Sequence, residues 1–257
     1  AWLVYLSADS VFDGRTAPYS VDAVANPLSE YGWHKLHGEQ LTLVACPRAA
    51  ILRIALLYGP CTAAADSAVT SLHTDLLNGV REVDAWQRCY PTWAPDVAGV
   101  ILAMLKKHRQ GEASLRGVFH WQGNEQLTWY EMMLHVAEIA GVDTSAISAV
   151  HTPPAVPMPR DPRLDCSRLE ALLGDASVRR LRTPFREGLE RCLRPLLAGA
   201  PGCGGRGPGG DSSALAEGAA GAEARPQAAG PEPPKPPEAQ KPDPESQFRD
   251  ELKKRGA

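Results

Sequence analysis

Residues 2–14 read WLVYLSADSVFDG, and this stretch decides the fold class. The apolar run Trp2–Ser7 predicts a buried parallel strand. Residues 8–28, which contain the Asp13-Gly14 turn signal, are predicted to form a loop. Ser29 is a good N-cap for a helix that reaches about Cys46. A buried strand, a loop and a helix in this order are typical of an α/β protein.

The chain continues this alternation as far as Leu197. Ala49–Tyr58 (AAILRIALLY) is the clearest further strand, Gly117–Trp121 is a shorter one, and Ile147–Val150 is a weaker candidate. Helices are predicted at Asp66–Asn78, Asp96–His108, Thr128–Ala140, Ser167–Leu173 and Pro184–Leu197. Strands that alternate with helices predict an α/β fold around a mostly parallel sheet.

The two ends of the chain differ from this pattern. A parallel strand buried on both faces needs a neighbour on each side, and only one strongly apolar strand follows Trp2–Ser7. We therefore expect sequence upstream of Ala1 to carry the first strands of the sheet. More than half of residues 198–257 are Ala, Gly or Pro, which predicts a disordered tail after a folded unit of residues 1–197. Residues 202–207 match G-x-G-x-x-G, but without a preceding strand they favour flexible chain over a phosphate site.

Composition excludes several classes of protein. The chain has 257 residues and a formal charge of −3, unlike the strongly basic surface of a general nucleic-acid-binding protein. No apolar run reaches the roughly 18 residues of a membrane-spanning helix. The six cysteines lack a Cys-x-x-Cys pair, and His34 and His37 lack a third ligand nearby, so we expect reduced thiols and no metal site. We expect a cytoplasmic protein, with nuclear import through Lys253–Arg255 as an alternative.

Tyr31 and Lys35 form a Tyr-x-x-x-Lys pair early in the first predicted helix. Their i, i+4 spacing places both side chains on one face. A lysine ammonium close to a phenol favours the phenolate, so such a tyrosine can exchange a proton with a carbonyl oxygen while a hydride reaches the carbon. By itself the spacing is weak evidence, because a solvated helix face produces it by chance.

Together with the preceding strand and ADSVFDG at residues 8–14, the motif YGWHK at residues 31–35 resembles the extended short-chain dehydrogenase/reductase superfamily. The branch is that of the dTDP-4-dehydrorhamnose reductases, or RmlD-like proteins, and LDCSRLE at residues 164–170 agrees. The resemblance spans residues 2–197 and implies the C-terminal portion of a Rossmann-type NAD(P)-binding fold with a small substrate-type lobe. It implies Tyr31 and Lys35 as the catalytic pair, with Tyr31, Lys35 and Leu57 binding the cofactor. NADP is then expected in a form that also carries the family's glycine-rich loop, and no cofactor is assigned to residues 1–257 alone.

Within that branch, two stretches resemble the regulatory beta subunits of methionine adenosyltransferase more than the bacterial reductases. They are GVFHWQGNEQLT at residues 117–128 and RTPFR at residues 182–186. This resemblance implies a non-catalytic regulator of S-adenosylmethionine synthesis whose partner is the catalytic subunit of methionine adenosyltransferase. Those subunits dock through an apolar C-terminal segment, and the tail here differs from it, which makes the docking route an open question.

The catalytic set is incomplete by this comparison. Active reductases carry a Ser or Thr before the Asp, where this chain has Ala8, and Ser7 belongs to the opposite face of the strand. We therefore expect Tyr31 and Lys35 to be a vestigial pair. Two alternatives stay open: an NADP-dependent reductase of the dTDP-4-dehydrorhamnose type, which the retained pair favours, and a fragment that does not fold stably by itself.

Overall fold

The computed structural model describes residues 2–198; of the predicted tail it describes only Ala198, and residues 202–207 lie outside it. Parallel strands alternate with helices, which confirms the predicted α/β class. The strands are β1 (Val4–Ala8), β2 (Ala50–Ile54), β3 (Leu57–Tyr58), β4 (Glu82–Asp84), β5 (Thr92–Trp93), β6 (Gly117–Trp121) and β7 (Ser148–Val150). The helices are α1 (Glu30–Ala45), α2 (Ser71–Leu77), α3 (Ala94–Arg109), α4 (Trp129–Ala140), α5 (Ser167–Leu173), α6 (Asp175–Arg180) and α7 (Phe185–Ala198).

The main sheet has three parallel strands in the order β1-β2-β6. Every residue of the central strand β2 is buried, which explains its unbroken apolar run. One face of the sheet packs through Leu52 and Phe119 against Val100 and Met104 of α3 and Leu169 of α5. This face is an ordinary apolar core, built by every second residue of each strand.

The predicted single strand Ala49–Tyr58 is wrong at its centre. The chain leaves the main sheet after Ile54, and Leu57–Tyr58 pairs instead with β5 in a separate two-stranded sheet. Both halves are apolar because β2 contributes to the core of the main sheet, whereas Tyr58 is buried in the core of a second lobe. A continuous apolar run therefore concealed a change of sheet.

The second lobe is formed by α2, α4 and α7 with the sheets β3-β5 and β4-β7. Its best-defined helix, α4, has the predicted capping box between Thr128 and Glu131 and ends at Gly141 with φ of 69°. The helix predicted over Asp66–Asn78 begins later, at Ser71, because the Asp66 carboxylate accepts hydrogen bonds from the Thr62 and Ala63 amides and holds a separate 3₁₀ turn. Helix α6 was not predicted.

The other face of the main sheet carries a buried polar row instead of an apolar core. Ser7, Arg53 and His120 are direct neighbours across β1, β2 and β6. Glu39 of α1 receives the Arg53 guanidinium in a bidentate ion pair, with N···O distances of 2.8 and 2.6 Å, and also accepts the Ser7 hydroxyl. The Arg53 and Glu39 side chains are only 6% and 3% exposed. We call these four residues the polar row; it fastens α1 to the centre of the sheet.

His120 completes this row. Its Nε2 lies 3.5 Å from the Arg53 guanidinium, and its ring meets the edge of Phe12 at 5.8 Å between centroids. Burial, together with the nearby positive charge of Arg53, lowers the pKa of His120 to about 4, although the nearby backbone of Tyr19 and Asp165 opposes this. The imidazole is therefore neutral in the folded protein at ordinary pH.

We expect Glu39→Gln to lower the free energy of unfolding by about 3 kcal/mol or more, because it leaves the Arg53 charge buried without its counter-ion. Urea denaturation measures this change. The control is Glu187→Gln, which breaks an exposed pair with Arg191 on α7 and should cost at most about 1 kcal/mol. Equal costs for the two variants would contradict a structural role for the polar row.

His120 should make stability depend on pH in acid. An unfolded histidine binds a proton near pH 6.5, whereas folded His120 does so only near pH 4, so stability is lost as the pH falls through this window. The loss approaches about 3 kcal/mol below pH 4 and vanishes above pH 6.5. His120→Asn should remove this part of the pH dependence, measured by denaturation at several pH values, whereas His34→Asn, at an exposed site, should retain it.

Candidate functional site

The carboxyl ends of β1, β2 and β6 meet at one edge of the main sheet. In open α/β sheets, ligands bind outside this edge, where the loops leave the strands. Three segments leave it here: a 3₁₀ turn at Asp9–Val11, the connection after Ile54, and the segment 122–126. The candidate site is therefore sought among these segments and the helix that covers them.

Helix α1 begins beside the first of these segments. Ser29 caps it as predicted, with its Oγ accepting from the Gly32 amide at 3.2 Å. A Cβ at Gly32 would lie 2.3 Å from the Ser10 carbonyl oxygen, so only glycine allows the helix to approach the turn this closely. Tyr31 is thereby placed next to the carboxyl end of β1.

The structure brings the predicted pair, Tyr31 and Lys35, together. The Lys35 ammonium lies 5.5 Å from the centroid of the Tyr31 ring and 5.9 Å from that of Tyr5. It donates a hydrogen bond to the Leu6 carbonyl oxygen at 3.3 Å, which uses one of its three N–H groups. The arrangement has the components of a proton-transfer pair, but the lysine also serves to attach α1 to β1.

The other predicted positions do not complete a catalytic set. Ala8 is buried and brings no hydroxyl, while the Ser7 hydroxyl is committed to Glu39 on the face that α1 covers. Leu57 lies in β3, outside the main sheet, with 42% of the residue exposed. Its role in binding a cofactor stays a prediction.

An NADP-type dinucleotide fits these residues only in part. Tyr31 and Lys35 supply the groups at the reacting end, and Leu57 is accessible. A pyrophosphate needs the amides of a glycine-rich turn between a strand and a helix, and residues 2–198 contain no such turn. The described residues thus offer a proton-transfer pair without a pyrophosphate cradle.

A polar cleft of about 380 Å³ lies beside the carboxyl end of β6. Sequence reasoning did not identify it, because its walls come from separate segments of the chain. Tyr31, Lys35 and Leu57 are not among the residues that line it. The polar side chains that line it include Tyr90, Gln122, Asn124, Gln126, Arg163 and Arg182.

Arg182 forms one wall of this cleft. Its side chain is 7% exposed, and its guanidinium stacks over the Trp121 ring at 4.2 Å. The guanidinium donates to the Gln122 carbonyl oxygen at 2.7 Å and pairs with Glu170 of α5. Arg182 therefore joins the segment after β6 to α5 and stiffens the cleft.

Among residues 2–198, no group of three or more His, Cys, Asp or Glu side chains is placed to hold a metal ion. His34 itself is exposed on α1. In the same range, each helix is too short or too polar to cross a bilayer.

Comparison with known proteins supports the resemblance found in the sequence. The chain is 41% identical over 202 residues to proteins named methionine adenosyltransferase 2 subunit beta from Xenopus tropicalis and from Bos taurus. Each alignment covers 77% of this chain and 58% of the relative, so the chain spans less than two thirds of their length. A probable dTDP-4,6-dihydroxy-2-methyloxan-3-one 4-ketoreductase from Streptomyces antibioticus is 35% identical over 147 residues, which is 56% of this chain and 47% of that protein.

Solved structures support the fold in the same way. A dTDP-4-dehydrorhamnose reductase from Clostridium acetobutylicum superposes with a TM-score of 0.62 at 26% identity, covering 76% of this chain and 66% of that chain. The Bacillus anthracis enzyme in complex with NADP gives a TM-score of 0.59 at 26% identity, with the same coverage. The family model described as the RmlD substrate binding domain matches residues 1–197. By that match the chain belongs to the RmlD substrate-binding-domain family, with its Rossmann-type α/β fold.

Proposed function

We propose that the chain acts as a non-catalytic regulatory subunit that associates with the catalytic subunit of methionine adenosyltransferase and modulates S-adenosylmethionine synthesis. The observation that carries the proposal is its identity to relatives named as beta subunits. That identity is higher, and extends over more residues, than the identity to the named ketoreductase. A beta subunit implies a partner chain, and the catalytic subunit is the one that the name indicates.

The geometry at the end of β1 supports a regulatory role. A reductase of this branch needs a hydroxyl to polarise the substrate carbonyl, and the structure has Ala8 there with the neighbouring Ser7 bound to Glu39. Loss of one such donor typically lowers a rate by about 10²–10³-fold. Tyr31 and Lys35 then persist as a vestigial pair, with Lys35 retained for its bond to the Leu6 carbonyl.

A longer form of the protein, with a glycine-rich loop, would add the missing pyrophosphate cradle. In such a form we infer that Tyr31, Lys35 and Leu57 line an NADP-type site, as the NADP complex of the Bacillus anthracis relative suggests. The cytoplasm, where S-adenosylmethionine is made from soluble substrates, is the compartment that this function implies.

Association is the direct test. The full chain, mixed with the catalytic subunit of methionine adenosyltransferase, should co-elute with it in size-exclusion chromatography and change the rate or the Michaelis constant of S-adenosylmethionine synthesis. A bacterial dTDP-4-dehydrorhamnose reductase of the same fold is the negative control, and a full-length beta subunit is the positive control. Failure of the chain to associate while the positive control does so would refute the proposal.

The second candidate function is an NADP-dependent reductase, which the Tyr31–Lys35 geometry favours. We expect no oxidation of NADPH above background with a 4-keto sugar nucleotide, because the carbonyl-polarising hydroxyl is missing. Absorbance at the NADPH wavelength measures this reaction. Turnover by the wild-type chain that Tyr31→Phe abolishes would establish the reductase instead.

A further inference from the structure

The segment 122–126 (QGNEQ) follows β6, and its odd and even positions make different contacts. The odd positions are fixed to the protein. The Gly123 amide donates to the Thr92 hydroxyl at 3.0 Å, and a Cβ at Gly123 would lie 2.1 Å from the Pro91 carbonyl oxygen. The Glu125 carboxylate accepts from the Phe185 amide at 2.6 Å, at the start of α7. The even positions, all carboxamides, line the cleft.

Two of these carboxamides have a fixed orientation. The Gln122 oxygen accepts from the Leu164 amide at 2.8 Å, and the Asn124 oxygen accepts from the Arg182 guanidinium. A backbone N–H and a guanidinium can only donate, so the oxygen of each carboxamide must face its partner and the NH₂ group must face away. Among residues 2–198, no acceptor meets either NH₂ group, although Gln122 is only 6% exposed. Two oriented donors therefore remain for the cleft.

The third carboxamide, Gln126, meets the Tyr90 hydroxyl. The Tyr90 hydroxyl lies 3.1 Å from its oxygen and 3.0 Å from the Asp161 carboxylate. The phenol has one proton and the carboxylate can only accept, so the proton goes to Asp161 and the hydroxyl oxygen is left to accept from the NH₂ group of Gln126. Gln126 is therefore not counted among the donors that remain for the cleft.

The charged groups that line the cleft differ in whether they have a hydrogen-bond or ion-pair partner. Asp165 accepts from the Ser167 amide at 2.9 Å, and Glu170 is paired with Arg182. The exposed Arg163 guanidinium, in contrast, has no hydrogen bond or ion pair within the part of the chain that the structure describes. Hydrogen bonds from Ser167, together with the charge interaction with nearby His120, keep the pKa of Asp165 below its usual range, so this carboxylate is ionised and offers no proton. The groups without a partner thus include two NH₂ donors and one cation, in a cleft whose lining also carries the ionised Asp165 carboxylate.

We propose that this cleft binds the oxyanion group, phosphate or carboxylate, of a small metabolite, held by the NH₂ groups of Gln122 and Asn124 and by the Arg163 guanidinium. An oxyanion has only acceptors, which is what two oriented donors and a free cation require. The volume of about 380 Å³ is at the lower end of the range for metabolite pockets. The site does not use Tyr31 or Lys35 and stands independently of the partner proposed above.

A titration of the full chain followed by NMR tests the site. The probes are inorganic phosphate, acetate and glucose at matched ionic strength, since screening alters charge interactions. We expect phosphate or acetate to shift the side-chain NH₂ signals of Gln122 and Asn124 in a saturable way, and glucose to leave them unchanged. The stronger of the two anion responses decides between a phosphate ester and a carboxylate as the natural group.

Isosteric variants separate binding from structure. Gln122→Glu and Asn124→Asp keep the oxygen that Leu164 or Arg182 requires, but they replace the NH₂ donor with a second oxygen. Each should weaken binding of the preferred anion by about tenfold or more, and Arg163→Gln by about threefold to tenfold. Gln40→Glu, on the exposed side of α1, adds the same charge elsewhere and should change affinity by less than about twofold. Thermal melting confirms that each variant is folded.

Three outcomes would overturn the proposal: no saturable shift with either anion, an equal response to glucose, or equal affinities for Asn124→Asp and Gln40→Glu. Because the readout is the cleft's own amide signals, none of these depends on whether the chain binds methionine adenosyltransferase.

Discussion

The ion pair between Glu39 and Arg53 is the constraint on which the arrangement of the sheet and α1 depends. Arg53 occupies the fully buried central strand, where an uncompensated charge would cost several kcal/mol. Its counter-ion can come only from the element that covers this face, and Glu39 of α1 provides it. The position of α1 across the sheet is therefore set by electrostatics, whereas α3 and α5 are held on the opposite face by ordinary apolar packing.

This difference between the two faces explains how the fold can hold the Tyr31–Lys35 pair in place whether or not the pair is catalytic. Tyr31 and Lys35 lie on the helix that the Glu39–Arg53 pair holds in place, and Lys35 adds its own bond to the Leu6 carbonyl. The geometry of Tyr31 and Lys35 is thus maintained by structural contacts that are independent of any catalytic role. A fold of this kind supports many functions. Its retained side chains are therefore stronger evidence of common ancestry with the reductases than of a shared reaction.

Much of the fold could be predicted from the sequence because its signals are local. The cap at Ser29, the capping box of α4 and the apolar strands β1, β2 and β6 all depend on neighbours along the chain. The two-residue strands β3 and β5 could not be predicted, since they are defined by a partner some 35 residues away and not by a pattern of their own. Arg53 illustrates the same limit. Its position inside an apolar run does not indicate that its ion-pair partner, Glu39, lies in the preceding helix.

The candidate site likewise has one part that local sequence signals predict and another part that they do not. The Tyr31–Lys35 pair could be found because its two residues share one helix face, whereas the cleft joins segments around residues 90, 122–126, 163–170 and 182. One local signal was available in QGNEQ: three carboxamides at alternate positions immediately after a buried strand. The first of them, Gln122, is buried, and a buried polar group is stable only if it has a partner. The odd positions and the carboxamide oxygens of Gln122 and Asn124 have partners within the protein. The NH₂ groups that remain must then donate to water in the cleft or to a ligand that replaces the water. These donors without a protein partner therefore restrict the chemical class of the ligand more than the shape of the cleft does.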